Sequence, residues 1–403
     1  MRILFLSQRV PFPPNRGDKI TTYRLVERLS RRFEVEILAF GEDPEDQAHA
    51  AELGRRGLAT ELVPRPRGPA RLASLGRALL TGRALTLGHY ASSRLADLAR
   101  VAGARADLCY AYSSSMGAFL LPLEGRRRIM HFAELDSDKW RQYAQRSRGL
   151  AWPMGRVYAR EARTLLAFER ELAARFDHSV FCTPLEQAIF ERAIPGRPST
   201  VIRNGVDLAA QRPSDPARRQ PDQLVFVGVM DYLPNIDGVV WFAREILPQI
   251  RARRPGAGFT IVGSRPTPAV TELASLPGVR VTGFVDDPGR YLAEASVSVA
   301  PLRIARGIQN KVLEALAAAL PVVGTTPATQ GVEGQPGRDF LVADSAADFA
   351  ARCLALLEDP SEALALGQRG RRFVEAHYDW EQVLQPFDRL IDATLAAPPR
   401  PAP

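Results

Sequence analysis

Pro301-Leu302-Arg303-Ile304-Ala305-Arg306-Gly307-Ile308-Gln309-Asn310-Lys311-Val312-Leu313-Glu314-Ala315-Leu316-Ala317-Ala318-Ala319-Leu320-Pro321-Val322-Val323 reads as the end of a buried strand, a basic loop, a helix beginning near Gln309 and the start of another strand. Strand, helix and strand in so short a span are the unit of a parallel sheet. Outward from this stretch the pattern repeats. Toward the N-terminus come strand-like runs at Leu224–Val227, Gly258–Val262, Val279–Val281 and Val297–Ala300, with Pro321–Gly324 after the quoted helix. A turn at Met230–Asn235 leads into a helical pattern that runs to about Arg253. An earlier series has strands at Arg2–Ser7, Glu34–Phe40, Asp107–Tyr112, Arg128–Phe132, His178–Cys182 and Thr200–Arg203, and a helix at Thr21–Arg32. Between the two series lies the polar segment Leu208–Gln223, carrying Pro213, Pro216 and Pro221, which reads as a linker. The expectation is an α/β chain of two doubly wound domains in sequence, with ligands at the carboxyl ends of the strands and a cleft between the halves.

The 403 residues suffice for two to three domains at about 150 residues each, and 46% hydrophobic with 24% charged residues excludes global disorder. A net charge of +8 suits an anionic small substrate or an anionic membrane surface. Lys19, Lys139 and Lys311 are the only lysines, so nearly all of the positive charge is arginine. Cys109, Cys182 and Cys353 stand too far apart for a zinc cluster and fit a reducing compartment. The apolar run at Met1–Leu6 is too short for a signal-peptide core, and no apolar run reaches the ~18 residues of a membrane span. These readings lead to an expected cytoplasmic location. A dinucleotide fingerprint is missing as well, because Arg2–Ser7 leads into Val10-Pro11-Phe12-Pro13-Pro14-Asn15-Arg16-Gly17 and not into G-x-G-x-x-G.

The chemistry concentrates around the quoted helix. A helix N-terminus offers free N–H groups and the positive end of a dipole, both of which favour an anion. Gly307 permits close backbone approach, and Lys311 adds a point charge one turn in. Glu314 is the only acid between Glu294 and Glu333, and it sits among Leu313, Leu316 and Leu320. A carboxylate with little water around it wants hydroxyl donors, and a ribose diol supplies two. The competing reading pairs Glu314 with Lys311 three residues earlier on an ordinary helix face.

Gly307–Glu314, followed by Ala315 and Leu320-Pro321-Val322-Val323, resembles the donor-binding signature of glycosyltransferase family 4. Asn204-Gly205-Val206-Asp207 resembles the hinge element of these enzymes, and Gly283-Phe284-Val285 their G-x-V element. Gly17 matches their glycine before the first helix, and Gly228 the opening of their donor domain. Met230–Asn235 and Asp136-Ser137-Asp138-Lys139-Trp140 further resemble sugar transferases of exosortase A (PEP-CTERM) exopolysaccharide loci. The resemblance runs from Met1 to about Leu395. It implies a metal-independent, retaining glycosyltransferase of the GT-B fold, with two Rossmann-like domains facing across a cleft. Residues 1–203 would bind the acceptor and 204–378 the nucleotide sugar; a helix at about 379–396 would cross back, and 397–403 would be a disordered tail.

In this reading Gly228, Gly307, Ile308, Gln309, Asn310, Lys311 and Glu314 bind the donor, and Gly17 and Lys19 lie on the acceptor side. Lys311, Glu314, Asp136 and His131 are the catalytic candidates. The donor is a nucleotide-diphosphate sugar and the acceptor a glycan or a lipid-linked glycan; no cofactor, metal or nucleic acid is expected. One departure is plain. Relatives often carry a glutamate eight residues before the one matching Glu314, and here that position is Arg306. Two other functions share the architecture: a non-hydrolysing sugar-nucleotide 2-epimerase, and a non-catalytic sugar-nucleotide-binding partner.

Some features admit more than one reading. Asp136-Ser137-Asp138 mimics a metal-binding D-x-D, could cap a helix starting near Lys139, or could place the Asp136 carboxylate at a strand end near the acceptor, which is the preferred reading. His131, at the end of the strand Arg128–Phe132, is either structural or functional. Leu62 to Ala96 contains no acid but has Arg65, Arg67, Arg71, Arg77, Arg83 and Arg94, with Leu72, Leu75, Leu79 and Leu80 at helical spacing. Such a segment, with Trp140, Trp152 and Arg156–Arg175 adding to it, suits peripheral contact with the anionic inner face of the cytoplasmic membrane. Alternatively it is a solvated arginine-rich helix that packs its leucines inward.

Overall fold

Short apolar runs separated by amphipathic helices can bury both faces of a strand only in a parallel sheet, and the chain builds two such sheets. The structure, a computed structural model, describes residues 1–147, 152–213 and 215–398. It divides into two units, Met1–Ile202 together with the chain from Leu384 onward, and Arg203–Val383. Part of the expected linker (residue 214) and most of the expected tail (residues 399–403) lie outside the described residues.

In the first unit the strands are β1 (Arg2–Ser7), β2 (Glu34–Gly41), β3 (Ala59–Pro64), β4 (Leu108–Tyr112), β5 (Arg128–Ala133), β6 (His178–Phe181) and β7 (Ser199–Val201). They pair in the order β3-β2-β1-β4-β5-β6-β7, and every pairing is parallel. In the second unit they are β8 (Gln223–Val227), β9 (Gly258–Val262), β10 (Val279–Val281), β11 (Val297–Ala300), β12 (Val322–Gly324) and β13 (Leu341–Val342), in the parallel order β10-β9-β8-β11-β12-β13. Each sheet therefore reverses its winding beside its first strand, between β1 and β4 and between β8 and β11. These are the switch points where doubly wound sheets bind ligands.

Two strands escape the sequence pattern. β3 is an edge strand with one buried residue, Val63, and β13 has two half-buried residues, so neither shows an apolar run. The helical stretch after β8 is not uniform. Leu233–Trp241 is α-helical with Pro234 in its first turn, Phe242–Ile246 is a wide π-type turn, and Leu247–Arg253 resumes the α-helix with Pro248 in its own first turn. A proline lacks the N–H of the regular ladder, and the widened turn before Pro248 accommodates it.

The helix Gln385–Ala396 follows the second unit in sequence but packs in the first. Arg28 grips Asp388 through two nitrogens, with Nη2 at 2.7 Å, and Arg32 pairs with Asp392 at 2.5 Å. The fully buried Phe387 meets the Tyr110 ring edge-on at 5.7 Å between centroids. The aromatic contact is the stronger anchor, since partly exposed ion pairs contribute little. Phe387→Ala should lower the stability of the first unit by about 3–5 kcal/mol in urea unfolding, whereas Arg32→Ala should cost under about 1 kcal/mol.

Candidate functional site

In the second unit the loop between β11 and the helix Asn310–Ala317 is shaped by glycines and one apolar anchor. Gly307 has φ +61°, and a Cβ on Gly331 would stand 2.1 Å from the Gly307 carbonyl oxygen. Only glycine fits at that approach, so the two segments lie in backbone contact. Ile308 is buried and pins the loop to the core, while the Gln309 amide donates to the Arg306 carbonyl at 2.8 Å. The helix then opens at Asn310. Its first N–H groups have no acceptor one turn back, as at any helix start, although Val312 N–H finds Gln309 O at 2.9 Å. Asn310 accepts from Asn204 at 3.2 Å through Oδ1, and its Nδ2 is buried without a partner.

Lys311 Nζ does not pair with Glu314. It donates to Asn235 Oδ1 at 3.0 Å and lies 5.1 Å from the centre of the Phe226 ring. Burial lowers the Lys311 ammonium to about 8, with Glu314 opposing the shift. Burial likewise raises the Glu314 carboxyl, with Lys311 opposing. No side-chain hydrogen bond or ion pair reaches that carboxylate among the described residues. Gly228, just beyond β8, completes the group, for a Cβ there would stand 2.8 Å from Asn235 Nδ2. The second unit thus brings together Gly228, Gly307, Ile308, Gln309, Asn310, Lys311 and Glu314. They present unpaired donors, one cation and one open carboxylate within about two helical turns.

In the first unit His131 lies within β5 and is fully buried. Its Nδ1 is 2.7 Å from the Tyr110 hydroxyl, the Tyr112 ring is 4.7 Å away between centroids, and Nε2 has no partner. Burial lowers the imidazole to about 3, so the ring is neutral. With Tyr110 donating to Nδ1, the ring proton would sit on Nε2 as an open donor. Asp136 is the first residue of the helix Asp136–Arg146, which starts three residues before the expected position, and its N-cap is Leu135. Neither aspartate of the D-x-D stretch is that cap. Asp136 accepts from Ser114 Oγ at 2.7 Å and pairs with Lys139 at 2.7 Å, while Lys139 also reaches Glu134 at 2.9 Å. Asp138 holds Arg141 and Gln142 instead. The two carboxylates therefore serve separate partners, and no cluster of three or more potential metal ligands occurs among the described residues.

Gly17 begins the helix Gly17–Ser30 and Lys19 sits in its first turn. Burial lowers the Lys19 amine, against the pull of Asp46, Asp18 and Asp43. Nearby Arg9 bridges Asp18 at 2.7 Å and Glu42 at 3.0 Å. The left-handed backbone of Ser113 (φ 80°) and Ala133 (φ 64°) marks the carboxyl ends of β4 and β5, where non-glycine residues seldom adopt it. Gln8 ties this edge to β1 by donating to Ser113 Oγ and Ser115 Oγ, each at 2.8 Å.

Sequence reasoning missed two polar residues. Glu169 is fully buried, accepts from Ser137 N–H at 3.1 Å and keeps Oε2 without a partner. Burial, together with the neighbouring Asp136, raises its carboxyl to about 8. The signal was its place on an apolar helix face, between Leu165 and Leu172, both fully buried. Asn235, on the helix Leu233–Trp241 that follows β8, is the other, and only its place at the end of the expected turn Met230–Asn235 hinted at it.

Residues 221–359 match the family Glycosyl transferases group 1, and residues 17–205 match the family Glycosyl transferase 4-like domain. Each unit thus contains a stretch that matches a glycosyltransferase family. A curated relative, the GDP-mannose-dependent monoacylated alpha-(1-6)-phosphatidylinositol monomannoside mannosyltransferase of Corynebacterium glutamicum, is 32% identical over 149 residues. That match covers 34% of this chain and 39% of the relative, well under half of either. Sucrose-phosphate synthase from Thermosynechococcus elongatus superposes with a TM-score of 0.74 at 19% identity, over 98% of this chain and 99% of that one. HepE of Anabaena, solved in complex with UDP-glucose, gives 0.71 at 15% identity over 98% and 100%. At such identities the likeness is one of fold, and the fold is that of GT-B glycosyltransferases.

Chemical labelling can read the site directly, because the chain has only three lysines. Lys311 should lose its proton as pH rises through about 8, so its acylation rate by acetic anhydride should reach half-maximum there. Lys139 should titrate far higher: burial works against its charge, but Asp136 and Glu134 outweigh it. Peptide mapping of competitively labelled protein measures both midpoints.

Proposed function

We propose that the protein is a retaining glycosyltransferase that moves a sugar from a nucleotide-diphosphate donor to a glycan or lipid-linked acceptor during exopolysaccharide biosynthesis. The unit Arg203–Val383 takes the donor, and the first unit presents the acceptor. The observation that carries this reading is the open carboxylate of Glu314 one turn beyond a helix start that bears Lys311. A partly buried carboxylate without a donor is poorly satisfied, and the two hydroxyls of a ribose satisfy it. The diphosphate then faces the helix N–H groups, the unpaired Asn310 Nδ2 and the Lys311 ammonium.

In the transfer step the difficulty is charge growing on the departing diphosphate. Donors fixed in place before reaction stabilise that charge without reorganisation. Here they are the helix start and Lys311, so no metal is required. The acceptor hydroxyl attacks on the same face that the diphosphate leaves, and no protein nucleophile is assigned. This reading assigns His131, neutral and with one open nitrogen, and Asp136, held by Ser114 and Lys139, to the acceptor side. The resemblance to exosortase-associated transferases supports the exopolysaccharide role and a cytoplasmic setting.

Glu314→Ala should weaken binding of the nucleotide sugar by about 1.5–3 kcal/mol, the worth of hydrogen bonds to a charged group. Alanine favours the helix, so the fold should persist. Calorimetric titration with a panel of nucleoside diphosphates reads the loss, and unchanged affinity for every one would remove the donor assignment.

The acceptor reading includes contact with an anionic membrane surface. No helix among the described residues is long and apolar enough to cross a membrane. The helix Gly68–Leu80, however, buries only Ala78, and leaves Leu72, Leu79 and Leu80 exposed by 70%, 54% and 91%. Those leucines do not pack inward. Arg71 and Arg77 flank them, and on the helix Trp152–Arg175 Met154 and Val157 are also exposed. Part of the charge is engaged, since Arg65 pairs with Glu42 and Arg94 lies 3.7 Å from Glu61. The protein should sediment with phosphatidylglycerol vesicles more than with phosphatidylcholine vesicles, and less at high salt. Replacing Leu72, Leu79 and Leu80 by serine should abolish the part that salt leaves.

A further inference from the structure

We propose that Asn235 is the positioning residue for Lys311, holding the ammonium as a charged donor beside the start of the helix Asn310–Ala317. The inference rests on the donor-site reading above and adds to it the group that keeps the cation in place. Asn235 is 4% exposed and belongs to the helix that follows β8, far in sequence from Lys311. Its amide orientation is dictated by chemistry. Nδ2 donates to the Val229 carbonyl at 2.8 Å, a contact that only the N–H end can make, so the oxygen is turned to Lys311 Nζ at 3.0 Å. Gly228 leaves the room for this arrangement, and Phe226 floors it with its ring face.

The choice of a neutral acceptor matters. A carboxylate at this position would lack the N–H that the Val229 carbonyl accepts, and it would cancel the charge of the ammonium toward an incoming anion. An apolar side chain would leave the ammonium buried without an acceptor, and it would shed its proton. An amide oxygen satisfies the ammonium and leaves its full charge available. The charged groups around Lys311 do not replace it. Glu314, on the same helix, acts on the ammonium without pairing with it, and Asp237, on the helix of Asn235, is bound to Arg303. On β8 the group that faces Lys311 is the uncharged Phe226.

The test compares wild type with Asn235→Leu, Asn235→Asp and Lys311→Gln. Competitive acylation gives the Lys311 midpoint, and calorimetry with inorganic pyrophosphate and with UDP gives anion affinity across pH. Asn235→Leu should lower the midpoint by about one to two pH units, the worth of a hydrogen bond to a charged group, and should move the alkaline loss of pyrophosphate affinity down with it. Asn235→Asp should raise the midpoint by at least about one unit yet weaken pyrophosphate binding about tenfold at neutral pH. A merely structural asparagine would leave the midpoint in place in the leucine variant, and that result overturns the proposal. Should the leucine variant not fold, Asn235→Ala takes its place, with the same two outcomes. The donor reading fails separately: Lys311→Gln with undiminished pyrophosphate and UDP affinity would refute it whatever the midpoints show.

Discussion

A strand buried on both faces has no side on which to carry polar chemistry, so a parallel sheet can place it only at the strand ends. Most of the candidate site residues follow that constraint, His131 within β5 being the exception. In β4 all five residues are buried, and in β11 all four. The first polar groups beyond them are Ser113 and Ser114 in one unit and Arg303 to Lys311 in the other. The switch points in the strand order fix which ends can hold a ligand, and both groups of candidate residues cluster beside those points.

The two units treat a half-buried lysine in opposite ways. Lys139 stands between Asp136 and Glu134 at 2.7 and 2.9 Å, so its charge is consumed locally. Lys311 faces an amide oxygen and an aromatic ring, and the nearest acid on its helix is left open. Coulomb energies rise steeply as the surroundings lose water, so a cation without a paired carboxylate is costly to hold in place. The first arrangement holds a helix start rigid. The second leaves the ammonium without a paired counter-charge.

The fold class was legible because alternation of strand and helix is a local property. Runs such as Ile3–Leu6 or Val297–Ala300 are apolar enough to be read alone. β3 and β13 were not, since an edge strand takes its structure from its neighbour and not from its own hydrophobicity. The same distinction separates the site residues. Gly307 to Glu314 could be read as one group because they are contiguous and spaced by helical turns. Asn235 could not, because its meaning lies in a contact with a residue 76 positions away. Glu169 was readable in principle, as an acid on an apolar face, but which group it serves is again tertiary.

Charge along the loop before the helix Asn310–Ala317 also changes meaning once the structure is known. Arg303 and Arg306 make that loop look doubly basic in sequence. Arg303, however, is bound through two nitrogens to Asp237, at 3.0 and 2.5 Å, and lies 5.4 Å from the Trp241 ring centre. It therefore braces the loop against the neighbouring helix and offers little field to a ligand. Lys311, by contrast, is held by a neutral acceptor, the Asn235 amide oxygen. The same stretch of sequence therefore carries two cations of different standing, one neutralised by a carboxylate and one held by an amide.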